Sequence, residues 1–177
     1  MHRLFVALRP PAPIRDMLLD AMDDGADFRW QQDTQLHLTL RFVGEVDRHV
    51  ATDLADALAR VRAPCLNLRI KGLGSFDHRN SGAIWAGVEP AEPVTALAAK
   101  IERVCQGVGL EPERRAFHPH ITLARWTGRR TRELAEFLDR GRTIASDAFD
   151  VAQFILFESH LSRHGPHYEP VAHYPLG

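Results

Sequence analysis

Two short stretches, His37-Leu38-Thr39-Leu40 and His120-Ile121-Thr122-Leu123, share one order of histidine, aliphatic, threonine, aliphatic. Such two-residue alternation belongs to a half-buried strand, because successive side chains leave a strand on opposite faces. Each copy therefore presents imidazole and hydroxyl on one side and gives its aliphatic pair to a core. Two such strands, one from each half of a 177-residue chain, can enclose one small group between them.

The segments around the motifs fit that arrangement. Residues 4–8 read as a buried strand ended by Arg9-Pro10-Pro11, and residues 12–22 carry helical spacing through Ile14, Met17 and Leu18. The first motif lies in a strand over 36–43, closed by Gly44. Asp47 caps a helix that runs to about residue 61 and is stopped by Pro64. Residues 66–71 and 82–88 read as strands of a long hairpin, joined by a glycine- and asparagine-containing loop over 72–81. There follow a helix over 92–108, a loop over 111–117, the second motif strand over 119–125 and a helix over 130–139 closed by Gly141. Strands over 149–157 and near 167–173 end the order. Each half holds one motif strand, which suggests duplicated lobes around a cleft; no linker separates them, and one domain over 1–177 is expected.

Composition narrows the function. The net charge of -1 gives no global pull toward long nucleic acid, so any such contact must be local. Cys65 and Cys105 stand far apart without metal-ligand spacing, so neither a disulfide nor a zinc site is suggested, and both read as small core residues. The opening apolar run is broken by Arg9 and Pro10, and no later stretch reaches membrane-spanning length without charges; a cytoplasmic protein is expected. Gly72-Leu73-Gly74-Ser75 lacks the third glycine and following helix of a dinucleotide loop, and neither a P-loop nor a nucleophile elbow occurs.

Phosphodiester cleavage needs a base to activate the attacking oxygen, an acid for the departing one, and donors for charge on the non-bridging oxygens. Two histidines and two threonines supply that set. A ring with an ordinary pKa of about 6.5 serves either role near neutral pH. A strained 2′,3′-cyclic phosphate carries its own leaving group, so no metal or cofactor is required.

At these residues the chain resembles the two-histidine phosphoesterase superfamily, in particular the bacterial and archaeal RNA 2′,3′-cyclic phosphodiesterases once named 2′-5′ RNA ligases. The resemblance spans nearly the whole chain: Arg3-Leu4-Phe5-Val6-Ala7, the run His37-Leu38-Thr39-Leu40-Arg41-Phe42-Val43-Gly44-Glu45, the block Phe117-His118-Pro119-His120-Ile121-Thr122-Leu123-Ala124-Arg125, and Tyr168-Glu169-Pro170. It implies an α+β bilobal fold, two antiparallel sheets facing across a central groove with helices packed outside. It also implies His37 as proton donor, His120 as proton acceptor, and a 2′-phosphate product from RNA ends. The partners so implied are RNA ends carrying 2′,3′-cyclic phosphate, with tRNA fragments as candidates, and a monomer is expected. Small cyclic nucleotides or ADP-ribose cyclic phosphate are the alternative substrates, and a noncatalytic RNA-end-binding module is the alternative class.

Thr39 and Thr122 are the expected phosphate contacts, and Arg125 a candidate third. Strict alternation puts Arg125 opposite His120 unless the strand bends. Arg41 shares the His37 face by period and reads as a solvated strand-end charge. His118 is expected beside the site, and Tyr168 to line the groove or pack between lobes. His160, His164 and His167 read as a solvated loop rather than a metal site. The run Arg129-Arg130-Thr131-Arg132 reads as a charged helix start.

Overall fold

The computed structural model describes residues 1–22 and 28–177. Its elements are β1 (His2–Leu8), α1 (Ala12–Asp20), β2 (Arg29–Trp30), a 3₁₀ turn (Asp33–Gln35), β3 (Leu38–Val46), α2 (Arg48–Leu58), β4 (Leu66–His78) and β5 (Ser81–Glu89). Then come α3 (Ala91–Gly107), β6 (His120–Thr127), α4 (Arg132–Arg140), a 3₁₀ turn (Gly141–Thr143), β7 (Phe149–Val151), β8 (Gln153–Ser162) and β9 (Gly165–Pro175). Asp47 caps α2 by accepting from the Val50 N–H, and Thr131 caps α4 by accepting from that of Leu134.

The strands run in the order β7-β4-β5-β6-β3-β1-β8-β9, with β2 also on β6. The two antiparallel sheets expected from the sequence are the two halves of this path. One holds β3, β1, β8 and β9, the other β7, β4, β5 and β6, and they join at a single pair, Leu38 opposite Ile121. One face buries Leu4, Val6 and Leu8 of β1 against the helices, including Leu18, Leu54, Leu97, Ile101 and Leu134. The other carries a separate small cluster of Phe5, Ala7, Ile155 and Phe157, with Tyr168 packed on it. This split follows the alternation of β1 and defines a helix face and a groove face.

Several boundaries differ from expectation. Most of the loop expected over 72–81 is strand: only Arg79 and Asn80 turn into β5, and β4 continues to His78 after an irregularity between Ile70 and Leu73. Its glycines are there for space. A Cβ on Gly74 would lie 2.4 Å from the Trp85 ring, and Gly72 adopts a φ of +70° at the irregularity. The strand over 149–157 is two, because β7 pairs with β4 while β8 pairs with β1 and β9. His160 and His167 are not loop residues but partners across β8 and β9, with His164 in the turn. Cys105 is fully buried as expected, whereas Cys65 is exposed and its thiol donates to the Leu176 carbonyl.

Candidate active site

The single pair between the halves decides where the motifs meet. His37 directly precedes β3 and His120 opens β6. Antiparallel continuation from Leu38 and Ile121 sets His37 across from Thr122 and Thr39 across from His120. Leu38 and Ile121 are 2% and 1% exposed on the helix face, so the imidazoles and hydroxyls leave toward the groove face. An apolar void lined by Leu8, Leu38, Val88 and Ile121 lies on the helix side, with no polar group to do chemistry.

Both motifs then end in the same irregularity. Between β1 and β3 the register passes from Ala7 opposite Thr39 to Val6 opposite Arg41, which leaves Leu40 as the extra residue. Between β5 and β6 it passes from Trp85 opposite Thr122 to Ile84 opposite Ala124, which leaves Leu123 as the extra residue. A bulge shifts side-chain parity by one. Beyond it, Phe42 and Arg125 point outward on the groove face, while Arg41 and Ala124 turn to the helix face. The strand irregularity that Arg125 needs is therefore present.

Arg41 is the converse case, a correction to the reading as a solvated charge. It is 9% exposed, pairs with Glu102 of α3 and donates to the carbonyls of Phe42 and Glu111. A charge turned inward by the bulge is held by a carboxylate and two carbonyls.

The imidazoles are held alike. His37 Nδ1 lies 2.7 Å from the Gln35 carbonyl and His120 Nδ1 2.6 Å from that of His118. A carbonyl only accepts, so each Nδ1 carries its hydrogen and each Nε2 is the titrating atom. His37 Nε2 is 3.0 Å from Thr39 Oγ1. Aromatic rings pack each imidazole. Around His37 these are Phe5 at 4.9 Å, Tyr168 at 5.2 Å and Phe157 at 6.5 Å; around His120 they are Phe76 at 4.8 Å and Trp85 at 6.2 Å. His118 stands edge-on to Trp85 at 4.8 Å.

These surroundings favour neutral rings. Burial chiefly pushes the His37 pKa down to about 4; the bond to Gln35 opposes this, and His120, Arg125 and Arg9 add to it. Burial also lowers His120; the bond to the His118 carbonyl opposes this, and the His118 ring and Arg125 add to it. Burial raises the Tyr168 phenol, against the fields of Arg125 and Arg3. Arg125 thus acts on both histidines and on Tyr168, as a cation over the groove.

Of the sequence-derived candidates, His37, Thr39, His120, Thr122 and Arg125 lie on this face, with His118 and Tyr168 beside the rings. Within the charged run over 129–132, Arg130 pairs with Asp77 and Arg132 with Glu136. Among the described residues, no group of three or more His, Cys, Asp or Glu side chains forms a metal site, and no helix is long and apolar enough to cross a membrane. Four residues of the aromatic packing went unread in the sequence: Phe5, Phe157, Phe76 and Trp85. Phe5 and Trp85 carried a signal, since alternation sets Phe5 opposite Leu4 and Val6, and Trp85 opposite Ile84 and Ala86.

A curved antiparallel α+β fold with matched histidine-threonine strands at the junction of its halves defines a two-histidine phosphoesterase scaffold. The model of the 2′-5′ RNA ligase superfamily matches residues 10–163, and the chain belongs to that family. A protein of Aeropyrum pernix named RNA 2′,3′-cyclic phosphodiesterase is 32% identical over 148 residues, spanning 82% of this chain and 84% of its own. One of the same name from Aquifex aeolicus is 30% identical over 154 residues, spanning 84% of this chain and 82% of its own. The crystal structure of Escherichia coli LigT complexed with 3′-AMP superposes with a TM-score of 0.82 at 26% identity, covering 99% of this chain and 98% of that one.

Proposed function

We propose that this chain hydrolyses RNA-terminal 2′,3′-cyclic phosphate to a 2′-phosphomonoester. The observation that carries this reading is the matched tethering of His37 and His120, which leaves two Nε2 atoms on one groove face beside the same strand pair. The names of the relatives support it.

In the proposed reaction, neutral His120 takes a proton at Nε2 from a water that attacks phosphorus. The bond from phosphorus to the ribose 3′ oxygen breaks, and protonated His37 delivers its Nε2 proton to that oxygen. Thr39 and Thr122 donate to the non-bridging oxygens, and Arg125 balances their charge. His37 is neutral in the free groove, so its proton and the phosphate anion stabilise each other on arrival. With the 5′ hydroxyl of a second RNA in place of water, the same groups run the step in the same sense: His120 takes the hydroxyl proton, the bond from phosphorus to the 3′ oxygen breaks with a proton from His37, and the ends are joined through a 2′-5′ linkage.

As part of this reading we take residues 1–177 as one bilobal unit, monomeric and cytoplasmic, acting on ends such as those of tRNA fragments. The unpaired thiols of Cys65 and Cys105 fit a reducing compartment. The test is incubation of a short oligoribonucleotide ending in 2′,3′-cyclic phosphate with the protein and EDTA, followed by identification of the product. A 2′-phosphate end is expected. An intact RNA end together with cleavage of a small cyclic nucleotide would move the substrate assignment, and inactivity on both would favour the binding module.

A further inference from the structure

β2 is two residues long, and its pairing is specific: Trp30 opposite Ala124 and Arg29 opposite Arg125. Ala124 is fully buried, and Trp30 packs on Phe28 at 5.6 Å and Phe137 at 5.3 Å. That anchoring turns Arg29 the other way, and direct partners in an antiparallel pair point to the same side. Arg29 therefore stands next to Arg125 on the groove face, both exposed, with backbones about 5 Å apart.

Two like charges directly opposite repel, and a fold gains nothing from placing them so. Some arginines elsewhere meet carboxylates, among them Arg9 and Arg15 at Asp33, Arg41 at Glu102 and Arg130 at Asp77, so it is the direct opposition of two arginines across one strand pair that sets Arg29 and Arg125 apart. Arg29 and Arg125 have no such partner among the described residues. Two adjacent guanidiniums with no carboxylate paired to them among the described residues form a fork for an anion.

The position of the fork selects the anion. β2 lies on the β6 edge that β3 leaves: Leu38 pairs with Ile121, the Gln31 N–H donates to the Leu123 carbonyl at 2.8 Å, and Arg29 reaches Arg125. Arg125 is three residues past Thr122, about 10 Å along the strand. One nucleotide and a bent arginine arm span that length.

We infer that Arg29, with Arg125, binds the internucleotide phosphate on the 5′ side of the terminal nucleotide, which makes the groove a site for RNA ends over mononucleotides. This rests on the proposed function for the position of the terminal phosphate. Arg125 is shared between the two phosphates and Arg29 serves the second. The pair holds substrate and takes no part in proton transfer.

The test compares kcat/KM for a diribonucleotide ending in 2′,3′-cyclic phosphate with that for the corresponding mononucleoside 2′,3′-cyclic phosphate, in wild type, Arg29→Gln and Arg29→Lys. Arg29→Gln should lose about tenfold on the dinucleotide, at least about fivefold more than on the mononucleotide, and Arg29→Lys should recover part of it. The slope of log affinity against log salt for the dinucleotide should weaken by about 0.7, the share of one phosphate. Equal losses on both substrates, or none on either, would overturn the inference. If wild type turns over neither, the proposed function fails, and calorimetric binding of a diribonucleotide and a mononucleoside, each with a terminal 2′-phosphate, decides the Arg29 site. Selective weakening for the dinucleotide supports it; equal weakening or none overturns it.

Discussion

Leu38 and Ile121 are the pair at which the two halves of the sheet join, and the histidine preceding each is tethered through Nδ1 to a carbonyl two residues upstream. The fold thus sets the two imidazoles beside one junction while their neighbours hold the halves together from beneath. The geometry of the candidate site and the packing of the core share the same two strands.

The depressed His37 pKa gives the first prediction. In the free protein its NMR titration should show a neutral ring down to about pH 4. Saturation with a nucleoside 2′-phosphate should raise that midpoint by at least about one unit, through the anion beside Nε2. A midpoint unchanged by ligand would place the phosphate elsewhere.

Folding stability carries the same signature. An unfolded histidine takes up its proton near pH 6.5, and folded His37 does so only near 4. Between these values the unfolded chain binds more protons, so stability falls as pH drops from about 6.5 to about 4 and this contribution is constant below. Allowing for the ring's residual exposure, the effect is on the order of 2 kcal/mol. Urea unfolding of wild type and His37→Gln at pH 7 and 4.5 checks it; the variant should lose less stability over that interval.

Arg41 should matter to the fold rather than to the reaction. Arg41→Ala leaves Glu102 Oε2 and the Phe42 and Glu111 carbonyls without the guanidinium donor, while Glu102 Oε1 keeps its bonds from Gln106 and Glu113, at a cost of about 2–3 kcal/mol. Denaturant unfolding measures this. A neutral effect would show that water replaces the guanidinium without loss.

Gly74→Ala places a methyl group within the Trp85 ring, which packs against His118 and His120. The strain should cost about 1–3 kcal/mol. It should also lower kcat more than it raises KM, since the displaced ring supports His120. Unchanged kcat would remove Trp85 from the positioning of the base.

Much of the site was legible because the motif is short and strictly periodic: a period of two over His37 to Leu40 determines which side chains share a face. The period fails where the backbone departs from it. Bulges at Leu40 and Leu123 reverse the parity of Arg41 and Arg125, and a register shift leaves no mark in residue type, since leucine suits regular strand and bulge alike. The glycines of β4 misled for a related reason. Gly74 is small because of Trp85, a neighbour on another strand, and local composition carries no record of that contact. The two-residue β2 was invisible because its pairing partner is far along the chain.

The most direct test of the account is a double-mutant cycle on single-turnover hydrolysis of cyclic-phosphate-terminated RNA, using His37→Ala, His120→Ala and the double variant. Each single change should slow the step by about 10²–10⁴-fold. The double variant should be much less impaired than the product of the two effects, because two groups serving one proton-transfer cycle are not additive. Full activity in either single variant, or losses that multiply, would contradict two histidines acting together on one phosphate.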